Sequence, residues 1–242
     1  MAFKKVSLQR PEPNGKTISE FFNVIDNDEN SIAYALNAID QVHGIPVEFN
    51  PPKCTIHFDS SMKENVSGLY HAKANKITIN PNSPDCKVTV FHEVGHWLDD
   101  YAIHGTRKKS IDVDVNDLGL WQEAVINSIE YKALQELKLD VEKGAIWQET
   151  VWPDGRETIN KINCEHLEII TRPHEIFART YEQYIATVCG IADLEDEFRR
   201  KRTSESHQRY NTYWEPVDFF AIGKGFEDFL EASGWIKKRS QL

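Results

Sequence analysis

Three features of the 242-residue sequence predict an α+β fold. Short runs with β patterning, at Cys54–Phe58, Gly68–His71 and Lys76–Asn80, lie together in the first third of the chain. Amphipathic helical patterns surround them, at residues 30–43, 118–139, 173–188 and 219–233. Between these sets lies a helix, Val88–Tyr101, which carries Phe91-His92-Glu93-Val94-Gly95-His96-Trp97-Leu98-Asp99-Asp100. The expected architecture is a small twisted mixed sheet with an antiparallel edge strand, packed on helices, with this helix central.

In chain order, residues 1–16 carry prolines, a glycine and polar groups and read as a loose arm. Residues 17–25 and 30–43 turn helical; Ile32, Ala33, Leu36, Ala38, Ile39 and Val42 form a buried stripe, and Gly44 stops it. Pro51-Pro52 precedes the first strand, and the second and third read as a hairpin or bent edge strand closed by Pro81 and Pro84. Residues 103–117 are polar and loop-like. One long helix is expected from Leu118 to Leu139, with Trp121, Ala124, Val125, Ser128, Ile129, Tyr131, Leu134 and Leu137 inward. The Pro153-Asp154-Gly155 turn marks a small hairpin within 143–163, an insertion that overhangs a cleft or is a plain surface excursion. Pro173 opens a helix with Ile176, Phe177, Thr180, Ile185 and Val188 on its core side. Residues 190–215 read as charged and irregular, and a last helix follows from Phe219 to Ser233. This divides the chain into an N-terminal arm and helix (1–48), a core (49–190), and a C-terminal loop and helix (191–242) completing the same domain.

Composition narrows the class. A net charge of −10 argues against nucleic acid as a partner. Basic residues cluster at Arg107-Lys108-Lys109 and from Arg199 to Arg202, but among polar residues, and both runs read as solvated turns. No apolar run reaches the length of a membrane span, so no membrane partner is expected. The N-terminus has a basic start but no apolar h-region, which predicts no secretory signal and a cytoplasmic setting. Delivery as an effector, or as a phage component, is the alternative. Four cysteines, widely spaced, form no Cys-x-x-Cys pair and read as free thiols.

The chemistry concentrates in His92-Glu93-x-x-His96. On a helix the two histidines leave one face a single turn apart, as two corners of a tetrahedral zinc site require. Glu93 sits about 100° around, where a carboxylate reaches a water on the metal rather than the metal itself. Zinc lowers the pKa of such a water towards ~7, and the carboxylate takes its proton during attack on an amide carbonyl. Val88, Phe91, Gly95, Leu98 and Ala102 form an apolar stripe that leaves His92, His96 and Asp99 on a neighbouring face. Gly95 costs roughly 1 kcal/mol inside a helix, which implies that something packs closely there. Asp99, a turn beyond His96, either accepts the outer N–H of a ligand histidine or is a surface aspartate. A third protein ligand is still needed, because His96 is not followed by the Gly-x-x-His extension. Glu175, opening an amphipathic helix, is the expected ligand, and Glu123 is its competitor.

His92-Glu93-Val94-Gly95-His96-Trp97-Leu98-Asp99-Asp100-Tyr101 and Glu175-Ile176-Phe177-Ala178-Arg179, in this order, resemble zincins of the gluzincin type. The resemblance, over residues 50–190, is to the catalytic domain of the anthrax lethal factor group and to metallopeptidases encoded by phages and mobile elements. It implies a zincin-like fold, zinc held by His92, His96 and Glu175, and Glu93 as general base and acid. It also implies a carboxylate one turn after the ligand glutamate, where this chain has Arg179, and an oxyanion-steadying tyrosine at the position of Glu168. His174, Tyr181, Tyr210 and Tyr213 are the substitute oxyanion donors; lacking one, such an enzyme loses roughly 10²–10³-fold in rate.

The expected function is zinc-dependent hydrolysis of a protein or peptide substrate, aligned by strand addition at the sheet edge. The intact Glu93 favours it. A zinc-stabilised structural or interaction protein, phage-associated and without turnover, is the reading that Arg179 and the missing tyrosine favour.

Overall fold

The computed structural model describes residues 8–25, 29–101, 119–152 and 155–237, and over these the chain is α+β. Strand β1 (Phe22–Val24) and helix α1 (Glu29–Asp40) come first. Strands β2 (Cys54–Phe58), β3 (Gly68–His71) and β4 (Lys76–Ile79) follow, then α2 (Cys86–Tyr101), α3 (Gly119–Asn127) and α4 (Ile129–Glu142). The second half holds β5 (Trp147–Val151), β6 (Glu157–Lys161), α5 (Cys164–Ile170), α6 (Pro173–Val188), α7 (Ala192–Arg202), a single-turn α8 (Glu205–Gln208) and α9 (Pro216–Ala232).

The main sheet has the order β1-β2-β4-β3. β1 and β2 run parallel, as do β2 and β4, while β3 is antiparallel to β4 and forms an edge, as expected. The first departure from the sequence reading is at residues 17–25. They form one 3-10 turn, Ile18–Phe21, and then β1, because Phe22 to Val24 find backbone partners from Cys54 to Ile56. Such long-range pairing overrides local propensity. The arm is also not loose over its described part. Pro13 bridges Ile236, and the amides of Asn14 and Gly44 both donate to the carbonyl of Trp235, at 3.1 and 3.0 Å.

The long helix expected over 118–139 is two. Ser128 interrupts it, its hydroxyl donating to Val125 O at 2.7 Å and accepting from Tyr131 N at 3.3 Å, so that it caps α4. Trp214 Nε1 donates to the same hydroxyl at 3.0 Å and fixes the break. Ile129, expected inward, is exposed in consequence. Residues 190–215, expected irregular, hold α7 and α8. The hairpin is present as β5–β6; its Pro153-Asp154 turn lies outside the described residues, as do the 103–117 loop and the Arg107–Lys109 run.

One core runs from Ile18 to Ile236 and fully buries Trp97, Trp121, Trp235, Tyr181 and Tyr184. A second, smaller one joins α4, α5 and the hairpin through Leu134, Ile162, Leu167, Ile170 and Tyr210. At the centre α2 packs along α6. A Cβ on Gly95 would lie 3.0 Å from Ala178 Cα, 3.3 Å from its oxygen and 3.3 Å from Tyr181 Cβ. The close approach that the sequence implied at Gly95 is therefore the crossing of α2 with α6. Among the described residues no helix is long and apolar enough to cross a membrane.

Candidate metal centre

The crossing brings three side chains to one point. His92 and His96 leave α2 on the same face, with ring centroids 4.8 Å apart. His92 Nε2 lies 3.4 Å from Glu175 Oε2, and His96 Nε2 lies 3.5 Å from Glu175 Oε1. One ligand atom from each residue falls within 4.8 Å of the others, and the group could hold a metal ion. Tetrahedral ligation with bonds of about 2.0–2.1 Å separates ligand atoms by ~3.3 Å, so the spacing and the N/N/O donor set suit zinc. Glu123, the competitor, is exposed on α3 and outside this group.

Pro173, in the first turn of α6, starts that helix where Glu175 enters its first turn, and a carboxylate there gains from the helix dipole. Burial raises the Glu175 carboxyl, but His92, His96 and Arg179 outweigh it and hold it far below the usual carboxylate range. Burial likewise pushes the His92 imidazole towards neutrality, yet Glu175 and Glu182 reverse this and raise it to about 10. These are the electrostatics of a site that attracts positive charge.

Glu93 is buried, and burial raises its carboxyl to about 7, with Glu175 adding and His92 opposing. It is wedged against the edge strand. A Cβ on Gly68 would meet Glu93 Oε1 at 2.8 Å and Thr89 Cγ2 at 2.6 Å, so only glycine lets β3 approach α2 this closely.

Glu182, two turns beyond Glu175 on α6, is the site residue that sequence reasoning missed. Its Oε2 accepts from His92 Nδ1 at 3.1 Å and from the Tyr213 hydroxyl at 2.6 Å. Such a partner fixes the ring and leaves Nε2 facing Glu175. The available signal was the i,i+7 spacing of Glu175 and Glu182, which puts both carboxylates on one face of α6. The carboxylate expected one turn after Glu175 thus stands two turns after it. Arg179 at the intervening position instead donates to the carbonyls of Glu175 (3.2 Å), Thr212 and Ile170, tying the C-terminus of α5 and the 209–215 segment to α6.

The four substitute oxyanion donors fall in different places. Tyr181 is bonded to buried His43 at 2.8 Å, Tyr210 accepts the Asn163 amide at 3.0 Å, and Tyr213 is committed to Glu182. His174 stands beside the centre, its Nε2 3.8 Å from Glu175 Oε1 and its ring 5.5 Å from that of His96. Asp99 is 1% exposed, which removes the reading of it as a surface residue.

The Arg199–Arg202 run is the last turn of α7 rather than an irregular turn; Arg199 and Arg200 are exposed as expected, but the side chain of Lys201 is only 9% exposed and turns inward to Glu182. One turn earlier on the same face, Glu197 Oε1 accepts the amides of Lys87 and Val88 at 2.9 and 3.1 Å and so caps the N-terminus of α2. No protein-family model, curated protein or solved structure matches the chain.

Proposed function

We propose that the chain is a zinc metallopeptidase of zincin-like fold, hydrolysing peptide bonds in a protein or peptide in the cytoplasm. The observation that carries this is the convergence of His92, His96 and Glu175 with a buried, non-ligating Glu93 on the same helix. Zinc, held by those three residues, would supply a Lewis acid that polarises the scissile carbonyl and acidifies a water. Glu93 accepts the proton of that water as its oxygen bonds the carbonyl carbon. It then delivers the proton to the amide nitrogen as the C–N bond breaks. Burial raises the Glu93 carboxyl, which favours its taking up a proton. His174, whose Nε2 lies 3.8 Å from Glu175 Oε1, would donate to the developing oxyanion. β3, unpaired on its outer side among the described strands, offers backbone groups to an extended substrate beside Glu93.

The non-catalytic, zinc-stabilised alternative draws on the placement of Tyr181, Tyr210 and Tyr213, whose hydroxyls are each committed to another partner: His43, the Asn163 amide and Glu182. One comparison separates the two readings. Glu93→Gln should keep its zinc and lose about 10²–10⁴-fold in hydrolysis of a diverse peptide library. Equal hydrolysis by both proteins removes Glu93 from the mechanism, and none by wild type leaves the structural reading.

A further inference from the structure

Glu182 has no exposed surface, and a carboxylate so placed is tolerated only with partners for its charge and lone pairs. Its Oε2 takes His92 Nδ1 and the Tyr213 hydroxyl; its Oε1 takes one group, the ammonium of Lys201 at 2.7 Å. The side chain of Lys201 is 9% exposed and also faces Asp85 at 3.4 Å, directly ahead of α2. Asp85 is itself held by the hydroxyls of Ser67 (3.3 Å) and Ser83. A continuous chain of charges thus runs from the start of the motif helix, through α7 and α6, to the outer nitrogen of His92.

We propose that Lys201 is a positioning residue for the metal centre: it fixes the Glu182 carboxylate as an acceptor against His92 Nδ1 and so keeps Nε2 directed at the ligand point. This rests on His92 being a metal ligand. Lys201 hydrogen-bonds to Glu182 rather than to a ligand residue, and it acts on His92 through that carboxylate. A lysine suits the task because a compact ammonium spans two carboxylates from different elements without a planar fork to accommodate.

The test is zinc affinity by competition with a chromophoric chelator, on wild type, Lys201→Met, Glu182→Gln and the double variant. Each single change should weaken zinc by about 10–100-fold, the range for lost outer partners of ligand histidines. The double variant should be no weaker than Glu182→Gln alone. Wild-type affinity in Lys201→Met, or losses that multiply in the double variant, overturns the proposal. A second readout needs no metal: the downfield imidazole N–H proton resonance of His92, assigned by its loss in Glu182→Gln. It should vanish or broaden in Lys201→Met, and its persistence there overturns the proposal. If wild type takes up no zinc, the metallopeptidase reading fails and this resonance alone decides the role of Lys201. Should Lys201→Met not fold, Lys201→Leu, which likewise removes both the charge and the donor to Glu182, carries the same comparisons.

Discussion

Gly95→Ala probes the contact that assembles the centre. The added methyl would stand 3.0 Å from Ala178 Cα and 3.3 Å from both Ala178 O and Tyr181 Cβ. Two of these three atoms belong to the backbone or to Ala178 itself and cannot swing aside, so α2 and α6 must separate by a few tenths of an ångström. Two opposing terms set the stability. Replacing a helical glycine with alanine contributes about 1 kcal/mol, whereas overpacking a tight crossing costs about 1–3 kcal/mol. The net is a loss of about 1 kcal/mol for alanine, and a larger one for Gly95→Val, which adds bulk and gains less in propensity. Metal binding is hit harder than stability, because Glu175 lies on one helix and both histidines on the other. Ligand distances tolerate only about ±0.2 Å, and a displaced Glu175 should weaken zinc by about tenfold or more. Urea unfolding in excess chelator gives the first quantity and chelator competition the second. A Gly95→Ala protein that is more stable by about 1 kcal/mol and binds zinc as wild type does would refute this account of the crossing.

Glu197→Ala removes the carboxylate that accepts two amides at the start of α2, and should lower stability by about 1–2 kcal/mol in urea unfolding; an unchanged midpoint would show that the cap is idle. His43, fully buried against Tyr181, has its pKa lowered by burial to about 4, from 6.5 in the unfolded chain. Below 6.5 the unfolded state therefore binds a proton that the native state refuses. The stability is full above about pH 6.5 and is lost as pH falls towards 4, by about 3 kcal/mol in all. Unfolding free energies from about pH 7 to pH 4.5 should fall less steeply in His43→Gln; parallel slopes would contradict the assignment.

What was legible in the sequence is what local periodicity encodes. The face shared by His92 and His96, the apolar stripe through Phe91 and Leu98, and the opening of α6 at Pro173 all follow from spacing along one helix. The preference for Glu175 over Glu123 rested on the same logic, and the structure brings Glu175 and not Glu123 to the histidines. What escaped depends on partners distant in the chain. Three residues of β1 carry too little pattern to be read as a strand until β2 is beside them. Ala192–Arg202 is so charged that it reads as solvated, yet Glu197 and Lys201, four apart, turn inward to α2 and α6. Glu182 stands two turns after Glu175, whereas the resemblance implies a carboxylate one turn after it, where the chain has Arg179. Neither pairing has a local signature, because each charge is made tolerable by a group from 19 to 110 residues away.

The most direct test of the metal centre is the zinc content of purified protein by mass spectrometry, on wild type beside Glu175→Ala and Glu123→Ala. The account predicts about one zinc per chain in wild type, retained when Glu123 is changed and lost when Glu175 is changed. A wild-type protein that takes up no zinc when supplied with it, or a Glu175→Ala protein that retains it in full, would contradict the three-residue site.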